Sequence, residues 1–519
     1  MQKKLLSLVL TATLAFTMLT GCGSDKDIEI AGDIEGAITI SCYEAMTYQS
    51  FLEQAARSFE DQYPGTKIEI ITGGSMPEIR TQQSEGRMMA MVQNIDNQQE
   101  KDDYVNKLNT EIMGGKGPDI IALDVVPYYK YADKKQLVDL SQYLASDAAF
   151  NSSDYAMNVF DATKYKGGQY LFPIDYTFDY IAYDTSLFPQ FPNDVKMSLS
   201  EAIEATTAKA LESGHKIFGL ASYTGMSMRG SGADMFSALF LQDYDLYVDV
   251  ANKKVNLDNG RFVELLENIR SYEEKGLINP ANVMDIQGER ELNLSALQQN
   301  RQERYYAKKN NSFSLINLYT RNLGNTTMGF VIGGTGMGDT SNDEFAGLLA
   351  NERGDVLLSY AMGFGINSNS KNKATAWEFL KFLAGEEMQS SGLTAPGAIP
   401  VNKEARATLA TMHITGEAMQ KRMENMESGI GGGLRASING ENPPEIVVDT
   451  ELSLPQENAL ANYLEDIERF TNQLNKFAIR DDKIDDMIYQ EVRHFFTGEK
   501  SAAEVVSNVQ SRANLYLNE

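Results

Sequence analysis

Cysteine and histidine are scarce in this chain, and carboxylates are abundant. The 519 residues hold two cysteines, Cys22 and Cys42, and three widely separated histidines, His215, His413 and His494. Two cysteines make no disulfide framework for a chain this long, and zinc sites draw several Cys and His together. A nucleophilic cysteine needs a base held beside it in a folded setting, and Cys22 lies too near the N-terminus for one. The 72 Asp and Glu leave a glycosidase open. That chemistry needs two carboxylates about 5–9.5 Å apart across one bond, a spacing that order along the chain does not define. "GGTGMGDT" (Gly333 to Thr340) approaches a phosphate-binding loop, but Asp339 stands where the lysine is required, which argues against nucleotide binding. "DDKIDD" (Asp481 to Asp486) lacks the glycine and terminal glutamate of a calcium loop and reads as a solvated face. No G-x-S-x-G elbow and no H-E-x-x-H pair occurs.

The N-terminus gives Cys22 a different chemistry. Lys3 and Lys4 precede a nearly unbroken apolar run from Leu5 to Leu19. That run fits the ~7–15-residue core of a secretory signal and falls short of the ~20 residues of a spanning helix. "LTGC" (Leu19 to Cys22) then resembles the lipobox of bacterial lipoproteins. The resemblance implies cleavage after residues 1–21 and acylation of the Cys22 thiol. One acyl chain binds a membrane marginally, so a stable anchor takes at least two. Residues 22–36, polar and acidic, read as the lipidated tether. Cys42 is then left as a free thiol, expected at a buried strand position.

The formal net charge of −26 offers no basic stripe for phosphates, so nucleic acid is not an expected partner. Hydrophobic content of 42% suits a folded body, and the length suits two or more lobes. No later stretch is long and apolar enough to span a membrane.

Hydrophobic periodicity supplies the elements. "AITISC" and "KIEII" read as strands, and so does "PDIIALD". Between the first two, Phe51, Leu52, Ala55, Ala56 and Phe59 share one helical face, ended by Pro64-Gly65. Tyr104, Val105, Leu108, Ile112 and Met113 recur at helical spacing before Gly114-Gly115. The polar, Met-rich stretch from Gly73 to Asp103 reads as a loop or loose helical insertion. Strands alternating with helices imply a parallel sheet. Gly167-Gly168, between aromatic flanks, reads as a two-residue hairpin turn. Trp377, the sole tryptophan, falls on the apolar face of "KATAWEFLKFL" and reads as core.

Several stretches, taken in order, resemble family 1 extracellular solute-binding proteins, the receptors of ABC importers. They are "FLEQAARSFEDQYPGTKIEI", "YVNKLNTEIMGGKGPDIIALD", "KKQLVDLSQYL", "YKGGQYLFPIDYTFDYIAYDTSLF", the segment Leu357 to Ala405, and the closing "EVRHFFTGEKSAAEVVSNVQSRANLYLNE". The chain departs from the family pattern in the long insertion at Gly73–Asp103. Asn325 to Phe345 lacks the usual small-residue-then-Trp segment, and Gly429 to Glu445 forms an unusual glycine-rich loop.

The resemblance implies a two-lobed α/β fold of the periplasmic-binding-protein type (type II), each lobe a sheet flanked by helices. Residues 37–178 and 361–398 would form the N-terminal lobe, and residues 179–360 and 399–519 the C-terminal lobe. The expected role is capture of a small solute by lobe closure, with a sugar or oligosaccharide as the implied class. The implied partners are ABC permease subunits and a membrane reached through the lipid anchor, on a Gram-positive-type envelope. No cofactor, metal or catalytic residue is expected.

In such folds the cleft is lined by loops at strand carboxyl ends. That rule selects Tyr43 and Glu44, Asp124, and the loop holding Tyr223 and Arg229. Asp175 and Tyr176 lie on the expected crossover between lobes, where Asp179 and Tyr180 follow and where a hinge absorbs backbone rotation. These types suit a sugar, with carboxylates for hydroxyls and aromatic faces for the ring. An extracytoplasmic glycosidase and a surface interaction lipoprotein stay open as other readings.

Overall fold

The computed structural model describes residues 34–43, 45–74, 78–84, 87–93, 98–184, 196–214, 216–221, 228–229, 232–278, 314–321, 343–360, 362–391, 398–415 and 454–518. Cys22, Glu44, Tyr223, His215, the Gly333–Thr340 stretch and the Gly429–Glu445 loop lie outside them.

The β-branched segment Gly36–Cys42 forms a strand that pairs in parallel with Thr66–Thr72 on one side and Ile120–Ala122 on the other. Gly363–Ile366 then adds antiparallel to Ile120–Ala122, and Phe172–Pro173 antiparallel to Gly363–Ile366. Both faces of this five-stranded sheet are covered. Ile38, Ile40, Ile120 and Ala122 join one core cluster, while Ile121 and Leu123 join another. The alternation follows from the two-residue period of a strand, and burial on both faces is usual for parallel pairing.

The helix Ala45–Gln62 buries Phe51, Leu52, Ala55, Ala56 and Phe59 against the first face, and Pro64-Gly65 follows its end. The helix Gln98–Met113 buries Tyr104, Leu108 and Ile112 against the second. Met113, expected on that same face, is 77% exposed at the helix end. The stretch expected as a loop or loose helix instead holds an antiparallel hairpin, Glu78–Ser84 with Arg87–Gln93, and then the first turns of Gln98–Met113. Mutual pairing gives these polar strands backbone partners that a helix-period reading does not anticipate. The tight turn after residue 165 is centred one residue earlier than expected. Lys166 (φ 48°) and Gly167 (φ 86°) are its positive-φ residues, and Tyr165 and Gly168 exchange backbone hydrogen bonds. Positive φ at both central residues is the requirement of a type I′ turn.

Among the described residues the larger sheet has eight strands. Along its path lie Met228–Arg229, Lys216–Ala221, Ser314–Arg321, Phe178–Asp184, Asp343–Ala350, Val356–Leu358 and Leu474–Phe477; Lys196–Ser198 pairs off the path with Asp343–Ala350. Helices Leu199–Ser213, Gly232–Gln242, Arg261–Glu274, Asp482–Phe496 and Ala502–Asn518 pack into one cluster with this sheet. Helices Lys403–Thr415 and Leu454–Thr471 contribute to the other cluster, beside Trp377 and Phe364. Trp377 is core, as its spacing predicts, and its Nε1 donates to Asp147 at 2.7 Å. Cys42 is buried in its strand, and burial pushes its thiol up to about 12.

The chain passes between the sheets at Ile174–Thr177 and again at Ser359–Met362. These passages pair with each other. Thr177 N–H donates to Ser359 O at 2.8 Å, Ser359 N–H returns to Thr177 O at 3.0 Å, and Ile174 N–H donates to Met362 O at 3.0 Å. The short strand Ile399–Pro400 pairs with Asp175–Tyr176 on the other side. Among the described residues no helix is long and apolar enough to cross a membrane.

Candidate functional site

A cleft of about 760 Å³ opens between the two sheets. On the smaller-sheet side its wall comes from Tyr48, from Lys101, Asp102 and Val105, and from the Leu123–Tyr128 loop. On the larger-sheet side it comes from Phe178 and Asp179, the helix Gly232–Gln242, and Phe477 to Lys483, with Tyr516 beyond them. Ser359 and Tyr360 of one sheet-to-sheet passage also line it. The smaller sheet explains the location. Gly36–Cys42 connects to Thr66–Thr72 on one side and precedes Ile120–Ala122 on the other, so the strand order reverses beside it. A crevice outside the carboxyl ends of strands at such a reversal is where open α/β sheets take ligands.

Asp124 stands two residues past the strand Ile120–Ala122, on the cleft lining. Its charge is felt by three tyrosines. Burial first, and the Asp124 charge second, hold Tyr48 far above its usual range and likewise raise Tyr104. Tyr360 is raised by burial, then by Tyr128 and Asp124. All three phenols therefore remain neutral donors at physiological pH. Tyr360 donates to Leu123 O at 2.7 Å, and Tyr104 shares a 2.9 Å hydrogen bond with Ser41. The Tyr128 side chain is 4% exposed, and its hydroxyl has no hydrogen-bond partner among the described residues.

The opposite wall is held by Asp481. Its Oδ1 accepts from the backbone of Lys483 and Ile484, capping the helix Asp482–Phe496. Its Oδ2 accepts from Tyr129 at 2.7 Å and from Tyr516 at 3.2 Å. Lys483 lies 3.3 Å from Asp102, and Lys130 sits 3.6 Å from the Tyr516 ring centroid. These contacts join the two walls at one rim. Behind the lining, Arg480 donates through Nε and Nη2 to Asp485 Oδ2. Burial raises Asp485 to about 6 despite that partner. Asp481 and Asp485 are both buried, so this stretch is a helix start docked into the protein and not the solvated face its composition suggests. Among the described residues no group of three His, Cys, Asp or Glu is placed to hold a metal ion.

Of the residues selected from sequence, Asp124 lies on the lining. Tyr43 is buried one layer back, tilted against Tyr104 with ring centroids 5.7 Å apart. Asp175 and Tyr176 are buried in the passage between sheets and do not line the cleft. Asp175 Oδ1 accepts from Met362 N–H, and Tyr176 shares a 2.5 Å hydrogen bond with Thr471 while lying against Arg406. Asp175 is turned to the neighbouring passage and Tyr176 to Thr471 and Arg406, so neither side chain is on the cleft lining. Arg229 belongs by its backbone to the edge strand Met228–Arg229, paired with Leu220. Glu44 and Tyr223 lie outside the described residues.

Sequence reasoning did not select Tyr48, Asp102, Tyr128, Tyr360 or Asp481. Tyr128 was within reach of the strand-end rule, four residues past Asp124. Tyr360 and Asp481 follow the strands Val356–Leu358 and Leu474–Phe477, which the sequence reading does not place, and Tyr48 and Asp102 come from helices.

The model of the family described as bacterial extracellular solute-binding protein matches residues 92–420. No curated protein matches the sequence. Among solved structures, the sugar-binding protein MalE from Xanthomonas citri is similar over 93% of this chain and 98% of its own, at 14% identity and a TM-score of 0.54. A putative oligosaccharide periplasmic-binding protein from Synechococcus sp. MITs9220 is similar over 93% and 99%, at 13% identity and 0.51. A family 1 extracellular solute-binding protein from Alicyclobacillus acidocaldarius is similar over 94% and 100%, at 15% identity and 0.50. At these identities the likeness is one of fold, the mixed α/β periplasmic-binding-protein type with a sheet in each half. With its family model covering more than half of the residues, this chain belongs to the bacterial extracellular solute-binding proteins.

Proposed function

We propose that this protein is a lipid-anchored, extracytoplasmic receptor that captures a sugar or oligosaccharide and delivers it to the permease of an ABC importer. The observation that carries the reading is the cleft between the two sheets, with the paired passages Ile174–Thr177 and Ser359–Met362 joining its walls. A ligand that touches both walls binds the closed arrangement better than the open one, and only that difference moves the population. The passages are few and short, so rotation is confined to a handful of backbone angles. Residues 37–178 with 361–398 and residues 179–360 with 399–519 act as the moving lobes in this reading. The sugar class is supported by what similar structures are named for, the MalE protein and the putative oligosaccharide binder. The protein acts as a receptor rather than an enzyme.

Residues 1–21 serve as the signal, Cys22 as the acylated anchor and residues 22–36 as the tether, on a Gram-positive-type envelope where no outer membrane retains a free receptor. Asp124 is a ligand contact in this reading, and Glu44, Tyr223 and Arg229 are further candidates. Tyr43, Asp175 and Tyr176 support the cleft from behind.

The test is a thermal-shift screen of sugars and other small solutes followed by solution scattering. A ligand that binds only the folded state raises the melting temperature by mass action, and a closing receptor becomes more compact. Binding without compaction counts against lobe closure, and a flat response to every sugar counts against the carbohydrate class. Cys22→Ser is expected to release the protein from membranes, and retention there would remove the anchor from the reading.

A further inference from the structure

Three contacts cross from one wall of the cleft to the other through protein groups alone. Tyr129, on the helix Tyr128–Asp133, donates to Asp481 Oδ2. Lys483 pairs with Asp102, and Lys130 lies over the Tyr516 ring. Asp102, Tyr129 and Lys130 come from the helices before and after the strand Ile120–Ala122. Asp481, Lys483 and Tyr516 come from the start of the helix Asp482–Phe496 and from the helix Ala502–Asn518.

The Tyr129 contact differs from the other two. Tyr129 and Asp481 are both buried, so this hydrogen bond is made out of water. Burial first, and the Asp481 charge second, hold the Tyr129 phenol far above its usual range and keep it a donor. Lys483 and Asp102 are partly exposed, and such a pair is weak and screened by salt. Each partner of the buried bond is also fixed on its own side. The backbone N–H groups of Lys483 and Ile484 hold Asp481 Oδ1, and Tyr516 donates to Oδ2. The Tyr129 ring lies against Tyr165, with centroids 6.2 Å apart. When the walls part, Asp481 keeps the donors of its own side and gives up Tyr129. The bond can therefore break and re-form without rearranging either wall. Asp481 lines the cleft, whereas Tyr129 is not among the described lining residues.

We propose that the Tyr129–Asp481 hydrogen bond is a latch that supplies part of the free energy of closure independently of solute, so that Tyr129 tunes the receptor's affinity without touching what is bound. This rests on the receptor reading, in which the two walls move as lobes. One hydrogen bond to a charged group is enough to move the ratio of open to closed forms about ten- to a hundred-fold. Affinity follows, because a solute that needs the closed form binds in proportion to the fraction that is closed.

The experiment measures the distance between two spin labels on the whole chain carrying Cys22→Ser, with no solute present. The labels sit at Met113→Cys and Leu211→Cys, exposed positions on the two lobes, while the buried Cys42 stays unlabelled. The parent is expected to show the distance of the present structure in a measurable fraction of molecules. Tyr129→Phe should move the ratio about ten-fold or more toward a longer, open distance. Tyr516→Phe removes the donor on Asp481's own side and should leave the ratio unchanged, which a general loss of stability would not do. Asp102→Asn combined with Lys130→Met removes the two flanking contacts and should shift the ratio several-fold in the same direction; it decides the matter where Tyr129→Phe does not fold. An unchanged ratio in Tyr129→Phe, or in the flanking variant when it stands alone, overturns the latch, and so does equal opening by Tyr516→Phe. A parent wholly open without solute also overturns it, and the solute screen judges the receptor reading separately.

Discussion

Asp481→Ala removes one carboxylate that performs two jobs. Its Oδ1 caps the helix Asp482–Phe496, and its Oδ2 accepts from Tyr129, 352 positions earlier in the chain, and from Tyr516. Loss of the cap costs about 1 kcal/mol. Tyr129 is fully buried, so its hydroxyl is orphaned and costs about 1–3 kcal/mol; the partly exposed Tyr516 turns to water at less. The total is about 2–4 kcal/mol, well above the usual surface substitution. Tyr129→Phe alone removes one charge-assisted hydrogen bond and leaves the cap intact, at about 1.5–3 kcal/mol.

Because one shared contact underlies both losses, they are not additive. In the double variant, Tyr129→Phe should cost little further, which gives a coupling of about 1–3 kcal/mol. Tyr129 belongs to the helix after Ile120–Ala122, and Asp481 to the body around the larger sheet. The coupling therefore measures how firmly one wall of the cleft holds the other. The assay is a double-mutant cycle in urea, followed by far-ultraviolet circular dichroism and by hydrogen exchange at Lys483 and Ile484. Exchange localises the loss in a protein too large for one two-state transition. A coupling below about 0.5 kcal/mol, within the scatter of independent sites, would refute the reasoning.

Three other outcomes follow from the structure. Burial raises Asp243 to about 6, opposed by the hydrogen bond it accepts from Glu352 N–H. The folded form holds this proton where the unfolded chain has released it, so the group's contribution to stability falls as pH rises from about 4 to about 6. Asp243→Asn keeps an acceptor for Glu352 and should gain about 1–2 kcal/mol over the parent at pH 7, with the gain vanishing below pH 4; a gain unchanged at pH 3 refutes it. Cys42, buried and held near 12, should resist iodoacetamide at pH 8 in the native protein and react only in denaturant, as mass spectrometry would read. Trp377, 1% exposed and absent from the cleft lining, should emit at short wavelength and keep its spectrum when solute saturates the cleft. A ligand-dependent shift of more than a few nanometres would place the cleft elsewhere.

Much of the fold is legible along the chain because strands and helices answer to short-range rules. The alternation of Ile38, Ile40 and Cys42 marks a strand, and the face of Phe51, Ala55 and Phe59 marks a helix. Both survive folding because each buries its apolar face on a neighbouring layer. Asp124 was legible for the same reason, since a strand's end follows from the strand.

Other assignments required contacts that sequence order does not encode. Asp175 and Tyr176 look like cleft residues until Ser359–Met362 and Ile399–Pro400 are laid on either side of them. The acids of Asp481 to Asp486 look solvated until Tyr129, Tyr516, Tyr244 and Arg480 are brought to them. Tyr128 and Tyr360 meet on one cleft lining only in the folded protein, from segments more than two hundred positions apart.

The sequence by itself determined the first strands and helices, the strand end at Asp124 and the family, since periodicity and turn chemistry are local and motif order is read along the chain. The tertiary structure decided which carboxylates face the cleft and which are consumed in holding its walls. Burial and hydrogen-bond partnership are set by distance in space, and in this fold each wall is assembled from segments far apart in the chain.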